Sequence, residues 1–260
     1  MFYRLFQMTK LLFIFFLSFI VMAAFSQPQT SSLIFAHNDY AKPNPFYHAY
    51  ALEVDYIEAD VFLKRGKLLV AHTRLEINDA RSLDSLYLGP IKAMIIKNNG
   101  AVYASGKKLT LMIDLKTEGD ATLKVLVNRL QDYPELINSK NFVMAVSGNM
   151  PEPSTWKSYP DFIHFDGRPG TQYNQEQLAR VELISDSFRN YSHWDGKGKL
   201  READQSTILT VIKNAHELGK PVRFWAIPDN TMGWTTLNGL MVDILNTDHI
   251  AEATAFMKRR

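Results

Sequence analysis

The chain of 260 residues contains no cysteine. Disulfides and thiolate metal sites are thereby excluded, and stability has to come from burial of a core. An excess of charge of one sign is also lacking: 29 Lys and Arg against 27 Asp and Glu leave a net charge of +2, with 46% hydrophobic and 22% charged residues. A chain so nearly neutral lacks the basic footprint of a nucleic-acid binder. No "GxGxxG" follows the first strand candidate, which removes the dinucleotide-binding signature. Repeats, low-complexity tracts and linkers are absent too, and the composition suits one α/β domain with a large core.

A long apolar run occurs near the start, "LLFIFFLSFIVMAAF" from Leu11 to Phe25, after Arg4 and Lys10. It ends in the small residues Ala24 and Ser26 around Phe25 and is shorter than the roughly 20 residues of a spanning helix. Residues 1–26 are therefore expected to be a cleaved signal peptide, with a retained anchor as the alternative. Residues 27–260 form the expected domain of a secreted or periplasmic protein.

Along the rest of the chain, apolar strand-like runs alternate with helical stretches. The runs are "SLIFAHND", "DYIEADVFL" with a ribbon partner "KLLVAH", "KLTLMIDLK", "NFVMAVSGN", "DFIHFDG", "VELISDSF", "PVRFWAIPD" and "VDILNTD". Helix candidates between them include "PFYHAYAL", "GPIKAMIIKNN", "ATLKVLVNRLQD", "NQEQLARV" and "DQSTILTVIKNAHELG", the last opening at Asp204 and closing at Gly219. With the ribbon counted in the second unit, the pattern predicts a single-domain (β/α)8 TIM barrel. An open, doubly wound sheet is the alternative.

In such a barrel the C-terminal strand ends converge on one mouth. Those ends carry His37, Asn38 and Asp39; Glu58 and Asp60; His72; Asp114 and Lys116; Ser147 and Asn149; Asp166 and Arg168; Asp186; Trp225 and Asp229; and Asn246 and Asp248. Glu58 and Asp60 are two apart and share a strand face. Two inward carboxylates require a positive partner, and one divalent cation, Mg2+ or Ca2+, is the natural choice, with Asp114 as third ligand. Lys116 points the same way as Asp114. His37 and His72 would flank this group and suit acid-base work near neutral pH. Zinc held by the histidines is the alternative metal reading. His48, His164, His193, His216 and His249 lack such a setting and are expected to be structural.

The order His37, Glu58-x-Asp60, His72, Asp114-x-Lys116 resembles the phospholipase C-like phosphodiesterase superfamily, which includes glycerophosphodiester phosphodiesterases and sphingomyelinase D-type toxins. "IDLKT" at 113–117 is closest to the toxin branch, whereas "HNDY" at 37–40 and "LNTD" at 245–248 look like the altered inheritance of mitochondria protein 6 type. The resemblance implies cleavage of a small-molecule or lipid phosphodiester through a cyclic phosphate, with His37 and His72 catalytic and Glu58, Asp60 and Asp114 binding the metal. Which histidine is the base is not legible, and His37 is favoured. Lys116, Asn38, Arg168 and Trp225 are the expected substrate contacts. Peripheral contact with a membrane is expected, and a protein partner is not. One departure is notable: glycerophosphodiester enzymes follow the first histidine with Arg-Gly, and this chain has Asn38-Asp39. A non-catalytic headgroup- or carbohydrate-binding protein and a barrel glycosidase remain the rival functions.

Overall fold

Nine apolar segments bounded by polar residues form strands in a computed structural model that describes residues 31–259. The expected signal peptide, residues 1–26, lies outside the described residues. The strands are β1 Leu33–Ala36, β2 Tyr56–Lys64, β3 Lys67–Val70, β4 Leu109–Leu115, β5 Phe142–Gly148, β6 Ile163–Gly167, β7 Val181–Ser187, β8 Val222–Trp225 and β9 Ile244–Thr247. Eight of them are parallel and run in the order β1-β2-β4-β5-β6-β7-β8-β9. Pairing of β9 with β1, through Phe35 and Asn246, closes the ring. The barrel expected from the sequence is thus present, and the open-sheet alternative is not.

The second strand serves two purposes. Tyr56–Val61 pairs with β4 inside the barrel, whereas Val61–Lys64 turns back on the antiparallel β3. The turn is made at Arg65 and Gly66, both with positive φ, a conformation that Gly adopts freely. The ribbon returns along β2, the Ala71 N–H donates to the Asp60 carbonyl at 3.2 Å, and His72 is delivered beside the Asp60 carboxylate.

Helices cover the outside of the ring: α1 Tyr47–Ala51, α2 Gly89–Lys97, α3 Gly119–Leu130, α4 Pro134–Asn138, α5 Gln175–Arg180, α6 Glu202–Glu217, α7 Thr231–Gly239 and α8 Ile250–Lys258. Of these, α4, α7 and α8 lie outside the set expected from the sequence. Helix α7 contains two glycines and a Thr-Thr pair, poor helix formers. It is set instead by Asn230, whose Oδ1 accepts from the Gly233 N–H at 2.9 Å, and by burial of Trp234. Helix α6 starts two residues before Asp204, which accepts from Ser192 Oγ at 2.6 Å and pairs with Arg201 at 2.7 Å. Among the described residues no helix is long and apolar enough to cross a membrane.

The interior of the barrel positions the site. Phe35, Tyr56, Met112, Ala145, Leu183 and Ile244 form one compact apolar layer inside the ring. Two residues further along the same six strands stand His37, Glu58, Asp114, Ser147, Ser185 and Asn246. Side chains two apart on a strand share a face, so a dry plug changes into a polar floor within one residue pair. The far larger cluster between the strands and helices, including Trp156, Tyr87 and Tyr103, makes the stabilising core. Each large side chain buried there contributes about 1.5–3 kcal/mol.

Candidate active site

Glu58, Asp60 and Asp114 each offer a carboxylate oxygen, and these three atoms lie within 4.8 Å of one another. Glu58 and Asp60 are buried, and burial pushes both carboxyls above their ordinary values. For Glu58 the charges of His37 and Arg223 oppose that rise, and for Asp60 the ammonium of Lys116 does. Lys116 Nζ is 3.0 Å from Oδ2 of Asp60 and 3.0 Å from Oδ2 of Asp114. Burial works against this ammonium, but the two carboxylates outweigh it and hold its pKa up. An all-oxygen, all-carboxylate donor set of this spacing fits a hard divalent ion. Neither histidine belongs to the group, which does not favour the zinc-histidine alternative.

Close contact of backbone and carboxylate shapes the third ligand. Gly148 ends β5 at φ +72°, and a Cβ there would stand 2.0 Å from Asp114 Oδ1 and 2.7 Å from the Leu115 carbonyl oxygen. Glycine keeps that space open for the carboxylate.

The histidines lie against different carboxylates of the triad. His37 Nε2 is 3.6 Å from Glu58 Oε2, and its Nδ1 is 3.1 Å from Asp248 Oδ1. Burial lowers the proton affinity of this ring, but the hydrogen bond to Asp248 and the charges of Glu58 and Asp248 prevail, so its pKa is raised. Asp248 is correspondingly held below the ordinary carboxylate range by the same hydrogen bond. His72 is more open. Its Nδ1 is 3.4 Å from Asp60 Oδ2 and 3.0 Å from the Tyr40 hydroxyl. Glu76 steadies the turn that carries it, accepting from the His72 N–H at 3.2 Å and the Thr73 N–H at 3.3 Å.

Asn38 and Asp39 divide the work of the loop after β1. Asn38 adopts the left-handed conformation, φ 50° and ψ 31°, which asparagine tolerates better than most residues. Its side-chain amide lies 2.9 Å from His37 Nδ1 and 3.3 Å from Asp248 Oδ1, and its oxygen accepts from Tyr40 at 2.6 Å. Asp39 turns away and is buried, its Oδ2 accepting from the Phe46 N–H at 2.6 Å and the Tyr87 hydroxyl at 2.9 Å. It anchors the loop to the outer core.

A cavity of about 310 Å³ opens here, lined by the triad, both histidines, Asn38, Lys116, Ser147, Asp166, Arg168, Arg223 and Trp225. All nine residues singled out in the sequence, from His37 to Trp225, therefore meet at one mouth. Arg168 Nη1 is 2.7 Å from Asp166 Oδ2 and donates to Ser185 Oγ at 3.1 Å. Trp225 forms an exposed edge. Among the remaining histidines, His216 Nε2 pairs with Asp243 at 2.7 Å and His164 Nδ1 lies 3.5 Å from Glu182, both away from this cavity.

Comparison with known proteins agrees with this geometry. A family model described as the AIM6-like phosphodiesterase domain matches residues 24–150, the part that carries both histidines, the triad and Lys116. Over that part the chain is similar to the AIM6-like phosphodiesterase domain. The chain as a whole is similar to the altered inheritance of mitochondria protein 6 homolog of Arthroderma benhamiae, at 26% identity over 86% of this chain and 83% of that protein. The altered inheritance of mitochondria protein 6 of Eremothecium gossypii is also 26% identical, over 86% of this chain and 69% of that protein. Among solved structures the fold resembles a glycerophosphodiester phosphodiesterase from Parabacteroides distasonis, with TM-score 0.56 and 13% identity over 89% of this chain and 98% of that one. It also resembles a calcium-dependent phosphoinositol-specific phospholipase C from Pseudomonas sp., with TM-score 0.57 and 12% identity over 88% of this chain and 93% of that one.

Three residues of this site have no place in the sequence-based set. Tyr40 brings its hydroxyl within 2.8 Å of Asp60 Oδ2; its signal was the "HNDY" spacing, two residues beyond Asn38. Asp248 stands among the strand ends, but only closure of β9 on β1 sets it beside His37. Arg223 is a charged residue inside an apolar strand, two residues before Trp225, and that parity was the available sign that it points inward.

Proposed function

We propose that the chain is a metal-dependent phosphodiesterase acting on a glycerophosphodiester or phospholipid-type phosphodiester by histidine acid-base catalysis. The observation that carries this reading is the placement of His37 and His72 against different members of one carboxylate triad, at 3.6 and 3.4 Å. A binding protein has no use for an acid and a base at an anion site.

Glu58, Asp60 and Asp114 would hold Mg2+ or Ca2+, which supplies Lewis-acid stabilisation of charge on phosphoryl oxygens. His37 acts as base. Its Nδ1 proton is held by Asp248, which leaves Nε2 to take the proton of a substrate hydroxyl as that oxygen bonds to phosphorus. The bond from phosphorus to the departing alcohol breaks, and His72 protonates that oxygen from its exposed side while Tyr40 and Asp60 fix its Nδ1 edge. A nucleophile already tethered next to the phosphate needs no further ordering, and the products are a cyclic phosphate and an alcohol. Lys116 offsets charge that grows on the phosphoryl oxygens. The N-terminal apolar run supports a secreted or periplasmic location, where extracellular phosphodiesters or the headgroups of a membrane surface would be its substrates.

Phosphorus NMR of glycerophosphodiesters and lysophospholipids incubated with the protein, with and without chelator, tests the proposal. Chelator-sensitive turnover should vanish in His37→Ala and His72→Ala. Cleavage that survives loss of both histidines would sink the mechanism, and absence of turnover over a broad panel would favour the headgroup-binding alternative.

A further inference from the structure

Three cationic side chains line the cavity, and two of them are already held. Lys116 lies 3.0 Å from each of two carboxylates, and Arg168 lies 2.7 Å from Asp166. Arg223 differs. Its nearest carboxylate oxygens are Asp166 Oδ2, 3.8 Å from Nη2, and Glu58 Oε1, 4.0 Å from Nη1. Both distances exceed a hydrogen bond. Only 4% of Arg223 is exposed, yet its Nε and Nη1 have no hydrogen-bond partner.

A buried donor without an acceptor is unfavourable, more so when it is charged. The fold nevertheless spends effort on holding this guanidinium in place. Its Cζ lies 4.0 Å from the centre of the Phe35 ring, a cation–π contact that holds the guanidinium over the ring. Phe35 is itself part of the apolar plug, so the fork rests on a rigid base directly beneath the carboxylate triad. Charge balance agrees. Four carboxylates and three cations line the cavity, so a divalent ion turns the lining formally positive by one unit, the match for one phosphodiester anion.

The geometry points to Arg223 as the residue that grips the phosphoryl group from the barrel floor, its guanidinium donating to the non-bridging oxygens. This deepens the proposed phosphodiesterase reading and rests on it for the identity of the anion. Arg223 comes from β8, three strands round the ring from the β2 strand that carries the His72 ribbon, and the phosphorus would be held between the floor and the two histidines. Arg168 then acts through Asp166, and Lys116 adds its charge while held by Asp60 and Asp114.

The test uses inorganic phosphate as probe. Phosphate is titrated calorimetrically into the Mg2+-loaded protein and its Arg223→Met variant, and Mg2+ is titrated separately into each metal-free protein. Removal of a charge-assisted, forked contact should weaken phosphate binding about tenfold or more, while Mg2+ binds as well as before or better because a neighbouring cation is gone. Equal phosphate affinity in both proteins would overturn the inference, as would no phosphate binding by the folded wild type at millimolar concentration. A parallel loss of Mg2+ affinity would also overturn it, because Arg223 would then serve only to hold Glu58. Should Arg223→Met fail to fold, Arg223→Lys replaces it: a several-fold loss of phosphate affinity supports the assignment, and wild-type affinity overturns it. Phosphodiester turnover measured alongside separates the two readings. Turnover with undiminished phosphate binding in the variant removes only the role of Arg223, whereas phosphate binding through Arg223 without turnover removes only catalysis.

Discussion

Gly148 leaves open the space that Asp114 fills, since a Cβ at Gly148 would lie 2.0 Å from Asp114 Oδ1. A backbone position on β5 therefore controls a carboxylate on β4, through the parallel register that sets Leu115 opposite Gly148. Gly148→Ala should displace the carboxylate and strain a residue at φ +72°. We expect divalent affinity to fall at least tenfold and stability to drop by about 1–3 kcal/mol. Calorimetric metal titration and urea unfolding measure both, and unchanged metal affinity would refute the link.

Lys116 bridges Asp60 and Asp114 in place of an external cation. Lys116→Met should destabilise the metal-free protein, because it leaves adjacent carboxylates uncompensated, and should strengthen divalent binding by removing a competing charge. Melting temperatures with and without Mg2+ should diverge more in the variant than in the wild type. A smaller divergence would contradict the arrangement.

Tyr40 links the first-strand loop to the ribbon, its hydroxyl lying 2.6 Å from Asn38 Oδ1, 2.8 Å from Asp60 Oδ2 and 3.0 Å from His72 Nδ1. Tyr40→Phe keeps the ring and removes the link. The expected loss of stability is about 1 kcal/mol, together with roughly tenfold slower phosphodiester turnover from a less ordered His72. Full activity in the variant would show that His72 is held by Asp60 alone.

Burial raises the Asp39 carboxyl above its ordinary value, against the opposing hydrogen bonds from Phe46 and Tyr87. The folded state thus binds this proton more tightly than the unfolded state. Its contribution to stability is complete below the ordinary aspartate value and is lost as pH rises through the folded value. Asp39→Asn keeps an oxygen to accept both hydrogen bonds and cannot ionise. Urea unfolding followed upward from pH 4 should show a smaller fall in stability for the variant than for the wild type. Parallel pH profiles would remove Asp39 as the cause.

The site was legible where chemistry follows strand parity. Glu58 and Asp60, and Asp114 and Lys116, are two apart in strands whose apolar alternation marks their inward face. Their convergence at one mouth follows from eight βα units. Asn38 shows the boundary of that logic. It stands where glycerophosphodiester enzymes carry arginine, and its sequence neighbours do not reveal that a guanidinium enters instead from Arg223, 185 positions later in register with Ser185 and Ile244. Helices α7 and α8 were less readable, because Trp234, Ala253 and Phe256 become helical faces only when the barrel gives them a surface to cover.

The sequence alone determined the alternation of elements, the absence of disulfides, the histidine and carboxylate order, and the two-residue parity that sets polar groups above an apolar plug. These are local properties of composition and period. Closure of β9 on β1, which brings Asp248 to His37, was decided only by tertiary structure, as were the Tyr40 bridge and the unpartnered fork of Arg223. Each depends on distance and direction between strands far apart in the chain. A hydrogen bond or an ion pair is decided within about an ångström, a scale that spacing along a sequence does not specify.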